Sequence, residues 1–355
     1  MTGFVLRRVA QAAVVLLGVT LVVFILERLT PGSLAHAVLG PRASPQAVAA
    51  FNATNGLNHP VVVQYLEFLG HLARGNLGYS YRLNQSVGSL VAHEAPNDLI
   101  LVGLGLVFAL AIAVPLGIAQ AVHRNRAVDH VATGAALALY SMPSYWLALL
   151  LIGGLSIGAH VLPPEAGQSG ATAGILADPR GLVLPVLTLT LVNVAWFSRY
   201  MRSAAIDTLA QDYVRLARAK GLPERLVLSR HVLRNSLLAI VTLVGMSVPM
   251  LLTSGLVVEY VFNVPGVGLS YYEAAANADY PVELGVTVIV GLATVLGSLL
   301  ADVSYAVLDP RVRQLRSGHP RPHSGRRHRR SGGHRRRPGG HRRRPEGRDP
   351  LSGPR

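Results

Sequence analysis

No cysteine occurs in the 355 residues, which excludes disulfides, thiolate metal sites and cysteine nucleophiles. Charge is also scarce: 14% of residues are Asp, Glu, Lys or Arg, against about 25% in soluble domains. Lysine is nearly missing. Lys220 is the only one, and it stands between Ala219 and Gly221. The phosphate-binding loop Gly-x4-Gly-Lys-Ser/Thr therefore cannot form, and any ATP hydrolysis must occur on another polypeptide. No catalytic residue, cofactor or resident metal is expected.

Half of the chain is hydrophobic. About 20 residues at 1.5 Å rise cross a ~30 Å hydrocarbon core, and six apolar runs meet that length: 9–29, 99–122, 131–158, 182–200, 236–258 and 282–307. The first follows Arg7 and Arg8 and precedes Ala35-His36-Ala37, as a signal peptide would. Its apolar run is longer than the ~7–15 residues of a signal core, so an uncleaved span is expected. The fold class is all-α, a polytopic protein with six transmembrane helices in the lipid bilayer.

The formal charge of +15 first suggests nucleic acid, but its distribution argues against such a partner. Much of it lies beyond Arg316, where "GGHRRRP" occurs twice in tandem over an Arg/His/Gly/Pro background. Segment 316–355 lacks apolar surface to offset ordering entropy, so a disordered tail is expected. Its favoured contact is anionic lipid headgroups; metal binding by the spaced histidines, or no specific function, stay open.

Lys and Arg also orient the spans. With the N-terminus inside, the inner segments hold Arg7, Arg8, Arg124 and Arg126, then Arg199, Arg202, Arg215, Arg218, Lys220, Arg225, Arg230 and Arg234. The outer segments hold only Arg42, Arg74, Arg82 and Arg180, and residues 259–281 hold none. Both termini are therefore expected in the cytoplasm of a cell-membrane protein, as six spans require.

Four regions follow. Residues 1–30 form the first helix and 31–96 an extracytoplasmic loop too long for a mere connector, with "VVVQYLEFLGHL" (61–72) at helical spacing. Residues 97–310 form a five-helix core, and 316–355 the tail. Residues 259–281, rich in aromatics and glycine, either re-enter the membrane or cap an outer mouth.

The inner loop 203–235 interrupts the oil with "DYVRLARAKGLPERLVLSRHVLRN". Ile206, Leu209, Ala210, Tyr213, Leu216 and Ala217 recur as one helical stripe. Gly221 ends that helix, Pro223 suits the start of the next, and Leu226, Leu233 and Leu237 continue an apolar face. Two short helices meeting at a corner can dock into a groove on another protein; a basic helix lying on lipid is the simpler alternative.

"ARAKGL…RHVLRN" resembles the cytoplasmic loop of ABC importer permeases, with signature Glu-Ala-Ala, three residues, Gly, nine residues, Ile-x-Leu-Pro. Gly221 matches the Gly, Ala217 the second Ala and Leu233 the Leu. Arg215 and Leu216 replace Glu and Ala; His231 and Arg234 replace Ile and Pro. These departures resemble the oligopeptide and dipeptide branch, as do "FVLRRVAQAAVVLLGVTLVVFILERLTPG" (4–32), "YSMPSYWLALLL" (140–151), "VEYVFNVPGVG" (258–268) and "DYPVELG…ADVSYAVLDPRVR" (279–313).

The resemblance implies a type I importer permease that couples a path for short peptides to separate ABC ATPase subunits. It also implies a second homologous permease chain and an extracytoplasmic substrate-binding protein. Nickel chelates and glutathione are carried by close relatives of that branch. Arg215, Ala217, Lys220, Gly221, Pro223 and Glu224 are the candidate ATPase contacts. Ser141, Pro143, Asn193, Ser254 and Asp302 are polar or kinking residues in or near spans and are candidate pathway residues; packing against neighbouring helices is the plainer role.

Two rivals belong to other classes. "GLSIG" (154–158) matches the Gly-x-Ser-x-Gly of a serine hydrolase, but no span interior supplies a His base for Ser156. A stand-alone secondary transporter would place more ionisable groups inside the spans and would not need a docking corner.

Overall fold

The computed structural model of the chain describes residues 2–29, 34–40, 42–167, 175–176 and 178–308. The tail expectation for 316–355 lies outside the described residues. Within them the protein is helical apart from one small hairpin, β1 (Tyr79–Ser80) with β2 (Gln85–Ser86).

Helix α1 (Thr2–Leu29) is followed by three short helices, α2 (Leu34–Leu39), α3 (Pro45–Thr54) and α4 (Val61–Ala73). After the hairpin come α5 (Val87–Val122), α6 (Ala127–Ser141), α7 (Ser144–Leu151) and α8 (Pro179–Leu209). The elbow helices α9 (Asp212–Ala219) and α10 (Glu224–Leu226) lead into α11 (Arg234–Phe262), α12 (Val267–Asn277) and α13 (Tyr280–Leu308). Among the described residues four helices are long and apolar enough to cross a membrane, five if one bent pair is counted as a span. Leu99, Val107, Phe108 and Val131 are turned outward, as hydrocarbon favours and water does not.

The bent pair corrects the expectation of one uninterrupted span over 131–158. Helices α6 and α7 meet at 105° because Pro143 has no N–H to continue the ladder. It also forces Met142 into an extended conformation, φ −82°, ψ 130°. Beyond α7, residues Ile152–Gly158 form a π-helical turn with Ser156 buried.

Helix α8 is the axis of the bundle, and most of its apolar stretch is buried. It runs beside α5 in the same direction. Gly105 faces Leu189 and Gly117 faces Met201 so closely that a Cβ at either glycine would lie 2.7 or 2.6 Å from the partner's Cβ. Small residues of this kind let membrane helices approach, where packing rather than hydrophobicity drives association.

The two ends of the bundle differ. At the far end α4 packs on α1 and the hairpin on α13, and α3 meets the chain after β1 through Phe51 and Tyr81. Helix α4 matches the helix expected at 61–72, and Tyr65 on it donates to the Leu17 carbonyl of α1 at 2.9 Å. At the elbow end lie the α5–α6 turn and the loop after α8.

Candidate functional site: the elbow and its supports

The elbow begins where α8 stops. Gln211 is extended (φ −73°, ψ 145°), so the single stripe expected from Ile206 to Ala217 is cut and its register rotates. Val214 and Ala217 turn inward, whereas Tyr213 and Leu216 face out, Leu216 at 56% exposure. Val214, Ala217, Val227 and Val232 share one core with Ala121 and Ala205, joined by Leu222.

Helix α9 ends in a Schellman motif. Leu222 N–H donates to the Ala217 carbonyl at 3.3 Å and Gly221 N–H to the Arg218 carbonyl at 2.9 Å. This pattern requires a left-handed residue, and Gly221 supplies it with φ +76°. Leu222 packs back on the Ala217 side of the core, the apolar contact such caps carry. Pro223 follows as the N-cap of α10.

The chain then departs from two short helices. Residues Val227–Leu233 form a π-helical stretch that passes directly into α11. The wider turn puts Val227 and Val232, five residues apart, into the same core. Leu226, expected on the apolar face, is exposed instead.

An ion pair closes the corner. Arg218 donates to both carboxylate oxygens of Glu224, at 3.1 and 2.6 Å. That carboxylate raises the guanidinium pKa further above its ordinary value, so Arg218 is charged at any physiological pH.

The sequence-derived candidates thus divide. Arg215, Lys220, Gly221, Pro223 and Glu224 are exposed on the elbow, with Arg215 beside Asp212 at 3.6 Å. Ala217 is 5% exposed and belongs to the elbow's interior. The pathway candidates are not drawn together. Ser141 donates to Leu137 O, Asn193 to Leu189 O and Ser254 to Met250 O, at 2.8, 2.7 and 2.9 Å. Each is satisfied one turn back on its own helix, not by a neighbour. Pro143 makes the bend. Asp302 falls on the part of α13 whose side chains lie outside the described residues.

Three residues whose pairing the sequence did not reveal are Arg218, Asp129 and Arg202. Asp129, 3% exposed, accepts from Arg202 Nε and Nη2 at 2.6 and 2.7 Å and from the Asn125 N–H at 3.0 Å. The pair ties the α5–α6 turn to the end of α8, one turn before Ala205 of the elbow core. A signal was present: Asp129 is the only acid between Asp98 and Glu165.

At the far end a second fastening ties residues 259–281 to α5. Asp98 on α5 accepts the Val267 N–H at 3.0 Å, and Glu259 on α11 accepts the Gly268 N–H at 2.7 Å. Asn97 donates to Pro265 O at 2.6 Å, and Ser270 donates to Glu94 at 2.7 Å. Gly266 sits between the two carboxylates. A Cβ there would lie 2.5 Å from Glu259 Oε2 and closer still to Asp98 Oδ1. Gly266→Ala is therefore expected to free the start of α12 and destabilise the protein by about 1–3 kcal/mol. Thermal unfolding of the detergent-solubilised protein measures it; an unchanged midpoint would refute the fastening.

A bundle of long apolar helices interrupted by a capped, ion-paired elbow marks a multi-pass membrane protein. Family models bear this out. Residues 113–314 match "Binding-protein-dependent transport system inner membrane component", and 1–102 match "Binding-prot-dependent transport system membrane comp, N-term". The chain belongs to this family of ABC importer permeases. It is 39% identical over 317 residues to a putative peptide permease protein of Brucella suis. It is 34% identical over 314 residues to the oligopeptide transport system permease protein AppB of Bacillus subtilis, and 31% over 336 to the dipeptide transport system permease protein DppB of Escherichia coli. Each match covers 88% of this chain and 99% of the relative.

Proposed function

We propose that the chain is one of two homologous permease subunits of an ATP-driven importer of short peptides, with the elbow as its contact to a separate ATPase. The observation that carries this is the elbow itself. Its interior is self-sufficient, yet Tyr213, Leu216 and Leu226 are presented outward among Arg215, Lys220 and Arg225. An apolar ridge rimmed by cations suits a groove on a partner, and a chain without a phosphate-binding loop needs that partner. Arg215, Lys220 and Pro223 are its contacts, while Gly221 and the Arg218–Glu224 pair fix the angle at which it is offered.

The arginine distribution supports an elbow and both termini on the cytoplasmic side. The far end then faces an extracytoplasmic binding protein. Inward- and outward-open states form a two-state equilibrium, biased through the elbow by nucleotide-driven closure of the ATPase. Peptide cargo is supported by the names of the relatives.

Affinity purification from native membranes is expected to bring down an ATPase, a second permease and a binding protein. Liposomes holding all four should take up a radiolabelled dipeptide only with ATP, and liposomes holding this chain alone should take up none. Uptake by the lone chain would overturn the proposal in favour of a secondary transporter.

A further inference from the structure

The second fastening holds more acid than its bonds to α12 require. Asp98 and Glu259 each accept one backbone N–H, from Val267 and Gly268, at 3.0 and 2.7 Å. Glu259 is 1% exposed, and Asp98 is half-buried. Their nearest oxygens, Asp98 Oδ1 and Glu259 Oε2, lie no more than 2.5 Å from one point, the place of a Gly266 Cβ. About 5 Å at most therefore separates them, within the ~4–6 Å over which like charges oppose each other's ionisation. The two carboxyl groups also share a hydrogen bond. An ionised carboxylate has no hydrogen to donate, so one of the two must carry a proton.

Nothing nearby relieves that demand. The other charged groups acting here are Glu94 on α5 and Glu273 on α12, both acids. Among the described residues no Lys, Arg or His acts on the three carboxyl groups, nor does any group of α13. Acceptors also outnumber donors. Ser270 supplies Glu94 Oε1, yet Glu94 Oε2 and Asn97 Oδ1 are buried without a partner. Asn97 is 0% exposed, and its amide reaches Pro265, the residue before Gly266. Buried acceptors are rarely left so; the region is short of hydrogen, not of oxygen. Asp98 and Glu259 each stand one residue beyond the apolar runs 99–122 and 236–258. Burial first, and the facing Glu259 carboxyl second, raise the Asp98 pKa, and burial raises that of Glu259.

We propose that the far end carries a proton-binding site, in which one proton held between Asp98 and Glu259 keeps the start of α12 fastened to α5 and α11. When the start of α12 opens, the two groups separate and the proton leaves for solvent. Each then titrates near the ordinary carboxylate value of about 4. The fastened state thus holds one proton more than the open one. Linkage gives the sign: the fastening is fully present below about pH 4 and is lost progressively as pH rises toward the pair's own raised value. The site is independent of the elbow and of what the importer carries.

Hydrogen exchange of the full chain in lipid nanodiscs tests this between about pH 5 and pH 8. It is read on peptides spanning residues 267–270 and corrected for the intrinsic pH dependence of exchange. Release of one proton gives about a tenfold rise in opening per pH unit. Asp98→Asn should abolish that slope, because the carboxamide does not titrate. It still accepts the Val267 N–H, and its own N–H replaces the shared proton. Glu259→Gln should flatten the profile from the other side while still accepting the Gly268 N–H. Thermal midpoints near that of the wild type at about pH 5 would show that both variants fold. A flat wild-type profile overturns the inference. So does a tenfold slope that survives in either variant, since Glu94 would then be its source.

Discussion

Gly221→Val is expected to cut ATP-driven uptake by about tenfold while leaving membrane insertion intact. The reason is local. A Cβ at Gly221 meets nothing within 4 Å, so no clash contributes and only the backbone objects. An L-residue in the left-handed region costs roughly 1–2 kcal/mol, and 1.4 kcal/mol is a factor of ten. The chain relieves that strain by leaving φ +76°, which breaks the Leu222-to-Ala217 bond and swings the Arg218–Glu224 pair apart. Uptake in proteoliposomes should follow the order Gly, Asn, Ala, Val, since Asn tolerates this region best among side-chain-bearing residues. ATPase co-purification should decline in the same order. Wild-type uptake by the Val variant would mean that the elbow's angle does not matter.

Arg218→Met separates angle from charge. An exposed ion pair contributes only about 0–1 kcal/mol, so the thermal midpoint should stay near wild type. A loss of uptake at constant stability would place Arg218 among the coupling residues; equal uptake would reduce the pair to decoration.

What was legible in advance follows from which interactions are local. Long apolar runs reported long helices because bilayer thickness fixes their length, except at 131–158, where Pro143 bends the run, and Gly221-x-Pro223 reported the corner because cap chemistry is a property of neighbours in sequence. Helix α4 was visible through its spacing alone. The register of the elbow was not. Helical periodicity assumed one continuous axis from Ile206 to Ala217, and the extended Gln211 reset the phase, exchanging Tyr213 and Leu216 for Val214. The wide turn at Val227–Leu233 carries no proline or glycine, and it is set by the demand that Val227 and Val232 reach a common core. Polar residues within spans were legible as present but not as engaged: Asn193 and Ser254 find carbonyls four residues back, a partner their types allow and their sequence does not announce. Arg202 was counted as one more inner cation because its acid lies 73 positions away.

That distant pair supplies the largest expected stability change. Asp129→Leu alone leaves Arg202 without its carboxylate, and Arg202→Met alone leaves Asp129 charged and buried. Removing one member of a buried pair costs about 3–5 kcal/mol, and Arg202 at 28% side-chain exposure keeps some water, so about 3 kcal/mol is expected for each single change. Exchanging both should cost much less, because the desolvation of two charges disappears with their attraction. A residue of roughly 1 kcal/mol remains for the Asn125 N–H, which loses its acceptor. Thermal midpoints of the two single variants and the double variant in detergent therefore should not add; additive losses would show that the contact contributes nothing as a pair. The double variant also asks what the pair does for transport. Arg202 stands one turn before Ala205, where α8 enters the elbow core, so the ion pair fixes the stem from which the elbow projects. If packing alone holds that stem, the stable double variant keeps full ATP-driven uptake. If directional bonds to Asp129 hold it, uptake falls although the fold survives, and the second result is the one this geometry predicts.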